Sequence, residues 1–170
     1  KIVEELSKNN GGSDFKWAES IEERNKLWKA RHDVYYSVKA LGQNMKVYST
    51  DICVPVSKLV ECISWAEKEV KDKGLIAPMV GHVGDGNFHS IILYDPNDKE
   101  KQKLIREYSD RLIDKALELE GTITGEHGIG LQKKHYLLKE HFDNLPVMKS
   151  IKRSLDPNNI MNPGKVFDLN

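Results

Sequence analysis

The sequence predicts an α+β fold, with an antiparallel or mixed sheet and helices packed on one face of it. Helical and strand patterns follow one another in the order helix, strand, helix, hairpin, helix, which favours layers of helix on sheet. A glycine or a turn sequence separates most of these segments. The chain of 170 residues is long enough to bury roughly 70% of its unfolded surface, so one domain with a real core is expected.

The first predicted helix spans residues 20–41. Ser20 and Glu23 form a capping-box sequence, in which the Ser hydroxyl accepts from the Glu amide and the Glu carboxylate reaches back. Apolar residues then recur at helical spacing, and Gly42 ends the segment. Arg31 lies on this apolar stripe, where spacing alone favours a packed stem with the guanidinium in water.

The sheet is predicted to contain three strands from the middle of the chain. The first, over 47–56, shows the alternation of a strand, and the others are expected over 75–83 and 87–94. A helix over 57–73 lies between them and ends at Gly74.

The remainder of the chain is predicted to be mostly helical. A helix follows the turn at 95–98 and runs to Gly121, because its apolar residues recur with helical period. A glycine-rich loop comes next, followed by helical segments near 131–143 and 146–155. Prolines then keep the C-terminal tail out of helix.

Composition excludes several classes of function. The 26 basic and 26 acidic residues balance, which argues against a nucleic-acid partner, whose phosphates need a basic surface. The longest apolar run, Ile91 to Tyr94, is far shorter than the ~20 residues of a transmembrane helix. Two cysteines make no disulfide framework and favour a reducing compartment.

Two histidines flank a turn sequence in the predicted hairpin. With Asp85 and Gly86 in a two-residue type I′ turn, His82 would lie directly opposite His89. Opposed residues point to one face with Cβ atoms about 4.5–5.5 Å apart, so two imidazoles could bind one cation. A three-residue loop would shift the register and separate the pair. The alternative is that both histidines are ordinary polar strand residues.

A glycine-rich loop, 121–130, carries an adjacent acid and histidine. Its glycines have the reverse of the dinucleotide-binding spacing and follow a helix rather than a strand, which excludes a Rossmann loop. Glu126 could complete a site of two histidines and one carboxylate, and His127 could act as a base beside it. The alternative is a solvated turn with an exposed acid and imidazole.

Three separated motifs resemble one family. The segments 81–89, 124–130 and 155–167 read GHVGDGNFH, TGEHGIG and LDPNNIMNPGKVF. They resemble the C-terminal part of FAD-linked 2-hydroxy-acid dehydrogenases of the vanillyl-alcohol-oxidase superfamily. The segments LWKARHDVYY (27–36) and VYSTDICVPVSKL (47–59) resemble those members that oxidise D-lactate and pass electrons to cytochrome c.

The resemblance also implies a domain organisation. Residues 1–145 would form a ferredoxin-like cap domain for the substrate, and 146–170 a helix and tail that return towards the flavin. Members of the family carry FAD on an N-terminal domain of a different fold. We therefore expect this chain to be the substrate side of a longer enzyme, to be inactive alone, and to lack the first strand of its cap, which would precede Lys1.

The resemblance assigns roles to the two histidine-containing motifs. His82, His89 and Glu126 match the metal ligands of the family, and His127 matches its catalytic histidine. A divalent cation is thus implied, with Zn²⁺ the best fit to two imidazoles and a carboxylate, and with Mn²⁺ or Fe²⁺ chemically permitted.

Further roles follow from the other matching segments. Arg31 matches the arginine that holds the substrate carboxylate, which replaces the solvent-reaching interpretation of this side chain. Asn162 and Lys165 match the segment that approaches FAD. Related 2-hydroxyglutarate dehydrogenases carry a lysine where this chain has Ser49, so a monocarboxylate such as lactate is favoured.

The resemblance finally implies the setting of the reaction. The substrate would be a small D-2-hydroxy acid, the electron acceptor cytochrome c and the location mitochondrial. Two alternatives stay open: a glycolate or D-2-hydroxyglutarate dehydrogenase, and a metal-stabilised binding module without chemistry of its own.

Overall fold

The computed structural model describes residues 1–169 and confirms an α+β architecture. The helices are α1 (Ile2–Asn9), α2 (Ile21–His32), α3 (Val34–Ala40), α4 (Leu59–Asp72), α5 (Lys99–Glu118), α6 (Lys134–His141) and α7 (Leu145–Leu155), with 3-10 turns at Val56–Lys58 and Phe142–Asn144. The strands are β1 (Lys46–Ser49), β2 (Ile52–Cys53), β3 (Met79–His82) and β4 (Asn87–Tyr94).

Strand β4 is the centre of an antiparallel sheet. β1 and β2 pair with one side of it and β3 pairs with the other. The single strand predicted over 47–56 is therefore two short strands, separated at Thr50 and Asp51. The Thr50 amide still donates to the carbonyl of Ser90, so the edge stays attached to β4 across this gap.

Helices cover both faces of the sheet, so the prediction of one covered face is wrong. Phe88 and Ile92 of β4 pack with α4 and α5 in the main core. Ile91 and Leu93 point the other way and pack with Val38 of α3. Alternate residues of a strand point to opposite faces of the sheet, so a strand whose odd- and even-numbered residues are both apolar is buried on both sides. The second face, under α3, is the one that carries the site described below.

The N-terminal helices differ from the prediction in two ways. The helix predicted over 20–41 is divided at Asp33 into α2 and α3, although the capping box at Ser20 is present as expected. Helix α1 had no predicted counterpart, and all its residues are at least partly exposed. Among the residues described, no helix is long and apolar enough to cross a membrane.

Candidate metal and substrate site

The hairpin between β3 and β4 has a longer loop than its sequence predicts. His82 pairs with Asn87, and Val80 pairs with His89, so the two histidines are not directly opposed. The Asp85 amide donates to the His82 carbonyl at 2.8 Å inside this four-residue loop. Gly86 has φ of +79°, and a Cβ there would lie 1.9 Å from the Val54 carbonyl oxygen. A glycine is therefore needed at position 86 because the backbone at Val54 passes so close to it. Asp85 and Gly86 alone gave no indication of this contact.

Both histidines nevertheless point to the same face of the sheet. The register differs from the predicted one by two residues, and the side-chain period of a strand is two, so the face is preserved. The rings lie diagonally across the hairpin with centroids 6.3 Å apart. The predicted convergence is thus present although the predicted pairing is wrong.

Glu126 of the glycine-rich loop joins the two histidines. One carboxylate oxygen lies 2.8 Å from His89 Nε2 and the other lies 3.6 Å from His82 Nε2. One ligand atom from each residue lies within 4.8 Å of the others, as a shared cation requires. His89 is buried, while His82 and Glu126 keep exposed surface, so the site opens on one side.

The hydrogen bonds of His89 are compatible with a cation at this point. Its Nδ1 lies 2.9 Å from the Thr50 carbonyl oxygen, and because a carbonyl only accepts, Nδ1 carries the hydrogen. Nε2 of a neutral ring then directs a lone pair at the Glu126 carboxylate, which has only lone pairs. Either a cation shared by the two atoms or a proton on Nε2, donated to the carboxylate, resolves this arrangement. A backbone partner on the far nitrogen is the usual support for a metal-binding imidazole.

A second group of possible ligands overlaps the first, formed by Asp51, His89 and His127. This group would use His89 Nδ1, which lies 3.9 Å from Asp51 and is already bonded to Thr50. The Asp51 carboxylate is also surrounded by donors. The donor chemistry therefore favours the group of His82, His89 and Glu126.

Arg31 lies beside this cluster, at the last turn of α2. Its terminal nitrogen is 3.0 Å from His82 Nε2, a contact that needs a neutral imidazole because a guanidinium only donates. The adjacent cavity has a volume of about 400 Å³. Charged and polar side chains line one part of it and apolar side chains the rest, among them Val34, Val80 and Ile91. A small acid with a short apolar substituent matches such a lining.

His127 lines the same cavity as Arg31. Its ring stacks on His89 with centroids 5.0 Å apart, and its Nε2 is 3.6 Å from Glu126. About half of its side-chain surface is exposed. It is thus accessible to a bound molecule without being one of the three convergent ligands.

The C-terminal tail reaches the other side of the glycine-rich loop. The Val166 amide donates to the Gly130 carbonyl at 2.8 Å. Lys165 lines a cavity of about 450 Å³ together with His127 and Ser49. Asn162 does not line it, but its side-chain oxygen accepts from Lys165 at 3.2 Å. Of the two residues predicted to approach the flavin, Lys165 therefore lines a cavity next to His127, whereas Asn162 contacts Lys165 without lining that cavity.

Asp51 is the residue that sequence reasoning missed. It is 2% exposed and bonded to the loop that carries Glu126 and His127. Burial raises the pKa of its carboxyl, but hydrogen bonds from Thr124 and the His127 amide, with the Lys133 ammonium, outweigh burial and hold the pKa well below its usual range. An acidic residue inside a predicted half-buried strand was the available signal.

Gly125 is required where the loop meets this carboxylate. A Cβ at Gly125 would lie 1.9 Å from the side-chain nitrogen Nδ2 of Asn87 and 2.9 Å from Oδ1 of Asp51. We expect Gly125→Ala to cost about 1–3 kcal/mol of stability, because overpacking displaces its neighbours, and to weaken metal binding. Thermal unfolding and Co²⁺ titration measure both. Gly84→Ala is the control, since a Cβ there meets no atom within 4 Å and should cost less than about 0.5 kcal/mol.

Comparisons with known proteins agree with the motifs of the sequence. Residues 1–166 match the family described as FAD linked oxidases, C-terminal domain. The chain is 49% identical over 170 residues to a probable mitochondrial D-lactate dehydrogenase of Danio rerio, covering 99% of this chain and 34% of the relative. It is 41% identical over 168 residues to a mitochondrial D-lactate dehydrogenase (cytochrome) of Arabidopsis thaliana, covering 98% and 30%.

The chain thus spans about a third of the length of these curated relatives. Among solved structures, a 4-ethylphenol oxidase from Gulosibacter chungangensis is similar, with a TM-score of 0.59 and 19% identity over 88% of this chain and 31% of that one. This last similarity is one of fold.

Proposed function

The chain belongs to the family of FAD-linked oxidase C-terminal domains, and on that premise we propose that it forms the substrate side of a flavoenzyme that oxidises D-lactate. The observation that carries the proposal is one cavity lined by Arg31, the convergent ligands and His127. In such a cavity the guanidinium can bind a substrate carboxylate, a metal ion on the three ligands can bind a substrate hydroxyl, and His127 can accept the proton of that hydroxyl. FAD, bound mainly outside this chain, would accept the hydride from C2 of the substrate.

Arg31 orients the substrate in this proposal. Its guanidinium can donate two parallel hydrogen bonds to a carboxylate, which fixes the plane of the acid as well as its position. In the structure the same group is 3.0 Å from His82. The bound carboxylate would therefore lie next to the ligand cluster, with the 2-hydroxyl directed towards it.

His82, His89 and Glu126 would hold the divalent cation. The donor set of two imidazoles and a carboxylate suits Zn²⁺ best and permits Mn²⁺ or Fe²⁺. When bound, the ion would stabilise negative charge on the 2-hydroxyl oxygen and lower the pKa of that hydroxyl.

His127 would accept the hydroxyl proton. A neutral imidazole has one nitrogen with a free lone pair, so it can accept the proton and release it again in each turnover. Its position against His89 and its exposed surface let it reach a substrate in the cavity. Lys165, on the opposite side of His127, would face the flavin, with Asn162 supporting it.

The lining of the cavity favours a monocarboxylate. Arg31 is the one arginine or lysine among the described residues that line it, and Ser49 stands at its wall. A second substrate carboxylate would have no second arginine or lysine to pair with there. Glycolate remains the alternative of similar size, and a panel of D-lactate, glycolate and D-2-hydroxyglutarate separates the three.

The setting of the enzyme is proposed from the relatives. A relative named D-lactate dehydrogenase (cytochrome), mitochondrial, supports a cytochrome as the electron acceptor, which we propose to be cytochrome c, and a mitochondrial location. Reduction of the flavin by D-lactate, in a protein that joins this chain to its flavin-binding part, tests the proposal. A protein that binds the metal but never reduces its flavin would instead be a metal-stabilised binding module.

Loss of Arg31 should weaken use of the substrate. We expect Arg31→Ala to lower kcat/KM for D-lactate by about 10- to 100-fold, as expected for a charged hydrogen bond of about 1.5–3 kcal/mol. Arg31→Lys should recover only part of this, because an ammonium lacks the planar fork. Arg24→Ala, on the exposed surface of α2, is the control and should match the unmodified enzyme. Equal kcat/KM in Arg31→Ala and the control would contradict the role.

A further inference from the structure

We propose that Asp51 is the positioning residue of this site: its carboxylate binds the backbone of residues 125–127 and thereby fixes where Glu126 and His127 stand. The inference deepens the proposed function and rests on it for the roles of those two side chains. Asp51 itself is assigned no contact with metal or substrate.

The carboxylate of Asp51 receives three consecutive backbone amides. Oδ1 accepts from Gly125 at 3.0 Å and from Glu126 at 3.1 Å, and Oδ2 accepts from His127 at 3.0 Å. The hydroxyl of Thr124 adds a bond of 2.7 Å to Oδ2. Successive amides that converge on one anion form a nest, so the path of the loop is set by the position of this carboxylate.

Two further donors approach the same carboxylate. Lys133 Nζ lies 3.1 Å from Oδ2 and also donates to the carbonyls of Asp51 and Ile123. Asn87 Nδ2 donates to Oδ1 at 3.0 Å. A carboxylate surrounded in this way is satisfied without a metal ion, which supports a positioning role rather than a ligand role.

Asp51 connects the two elements that build the site. His82 and His89 belong to the hairpin, whereas Glu126 and His127 belong to the glycine-rich loop. Asp51 lies in the gap between β1 and β2 and is bonded both to the loop and to Asn87, which pairs with His82 in the hairpin. This link connects the backbone next to the loop ligand to β4, the strand that carries His89.

The loop has features that make such a link necessary. Gly128 and Gly130 both have positive φ, and the segment from Glu126 to Gly128 is exposed. A segment rich in glycine loses more conformational entropy on ordering than most, so its placement depends on bonds to the sheet. Mutation of a residue that is hydrogen-bonded to a metal ligand, without touching the metal itself, typically lowers metal affinity by about 10- to 100-fold.

The test uses Asp51→Asn with Asp156→Asn as a matched control. Asp156 is also buried, and its carboxylate also accepts two backbone amides, those of Ile160 and Met161, and a lysine ammonium, but it lies in the C-terminal segment. Asparagine keeps the shape in both cases and replaces one accepting oxygen by a donor. Both variants thus remove the same chemistry from different places.

Two measurements on the 170-residue chain report on the proposal. The first is Co²⁺ affinity with the visible spectrum of the bound ion, and the second is hydrogen exchange of the amides of residues 125–127. We expect Asp51→Asn to lower Co²⁺ affinity about 10- to 100-fold, to alter the spectrum and to expose these amides. Asp156→Asn should change none of the three.

A milder variant covers the case in which Asp51→Asn does not fold. Thr124→Val removes one hydrogen bond to the same carboxylate at nearly constant volume. It should lower Co²⁺ affinity by about 2- to 10-fold, less than Asp51→Asn does, because only one of several hydrogen bonds to the carboxylate is lost, and it should raise exchange at residues 125–127. Unchanged exchange in both Asp51→Asn and Thr124→Val overturns the inference.

The outcomes separate this inference from the proposed function. If His89→Ala loses Co²⁺ while Asp51→Asn binds it like the unmodified chain, the metal site stands and the role of Asp51 is wrong. If His89→Ala binds Co²⁺ as well as the unmodified chain, the proposed ligands are wrong. In that case the amide exchange of residues 125–127 still decides whether Asp51 holds the loop.

Discussion

Replacing His89 by alanine is expected to abolish stoichiometric binding of Zn²⁺ or Co²⁺ by this chain. His89 is the most deeply buried of the three convergent ligands, and its ring orientation is fixed by the Thr50 carbonyl. Mutation of a residue that only supports a ligand already lowers metal affinity by about 10- to 100-fold. Removal of the ligand itself should therefore lower it by at least about 100-fold. Elemental analysis after dialysis and Co²⁺ titration both measure the loss.

Two comparisons make this result specific. His82→Ala should also lose the metal, because it removes another of the three ligands. His141→Ala should bind like the unmodified chain, since His141 lies at the end of α6 and does not line the cavity. Equal metal content in all three variants and the unmodified chain would show that the ligand assignment is wrong.

Replacing His127 by alanine should stop turnover while leaving the metal bound. Loss of a general base typically lowers the rate by about 10²- to 10⁴-fold, and we expect this loss in kcat for D-lactate in the protein that includes the flavin-binding part. His127 is outside the favoured ligand group, so metal content should stay equal to that of the unmodified enzyme.

The combination of the two readouts distinguishes the possible roles of His127. Turnover lost with the metal retained is the result expected of a base. Turnover and metal lost together would favour the alternative group that contains Asp51, His89 and His127. Unchanged turnover would remove His127 from the reaction. His135→Ala, on the exposed surface of α6, controls for the loss of an imidazole elsewhere.

The order of helices and strands could be predicted because it depends on local patterns. The capping box at Ser20 and the period-two and period-3.6 patterns identify elements from neighbouring residues alone. The sequence of β4 also contained the information that helices cover both faces of the sheet. Phe88 and Ile92 occupy one parity of β4 and Ile91 and Leu93 the other, which indicates a strand buried on both sides.

The hairpin register could not be predicted because it depends on a distant segment. An Asp–Gly pair favours a two-residue turn when only the hairpin is considered. Here Gly86 is used for contact with Val54, whose amide donates to the Gly86 carbonyl at 3.0 Å. The loop therefore lengthens by two residues, and the histidines keep a common face only because that shift is even.

Several of the side chains predicted for the site lie together in the structure, but most of the contacts that bring them together could not be predicted from the sequence. His82 and His89 come together within one hairpin, so local reasoning was enough to relate them. Glu126 is held next to these histidines by the hydrogen bond from its backbone amide to Asp51, a residue 75 positions earlier in the sequence. Arg31 lies two residues before the break at Asp33 and contacts His82, which is 51 positions away. A continuous apolar stripe reveals neither the break nor the contact.

The most direct test is to locate the metal ion by anomalous diffraction from crystals of the chain grown with Zn²⁺, with data collected on both sides of the zinc absorption edge. We expect one strong peak bonded to His82, His89 and Glu126, with metal–nitrogen distances of about 2.0–2.1 Å and the Asp51 carboxylate still bonded to the amides of residues 125–127. A peak bonded to Asp51 and His127, or no peak at this cluster in crystals soaked to saturation, would contradict it.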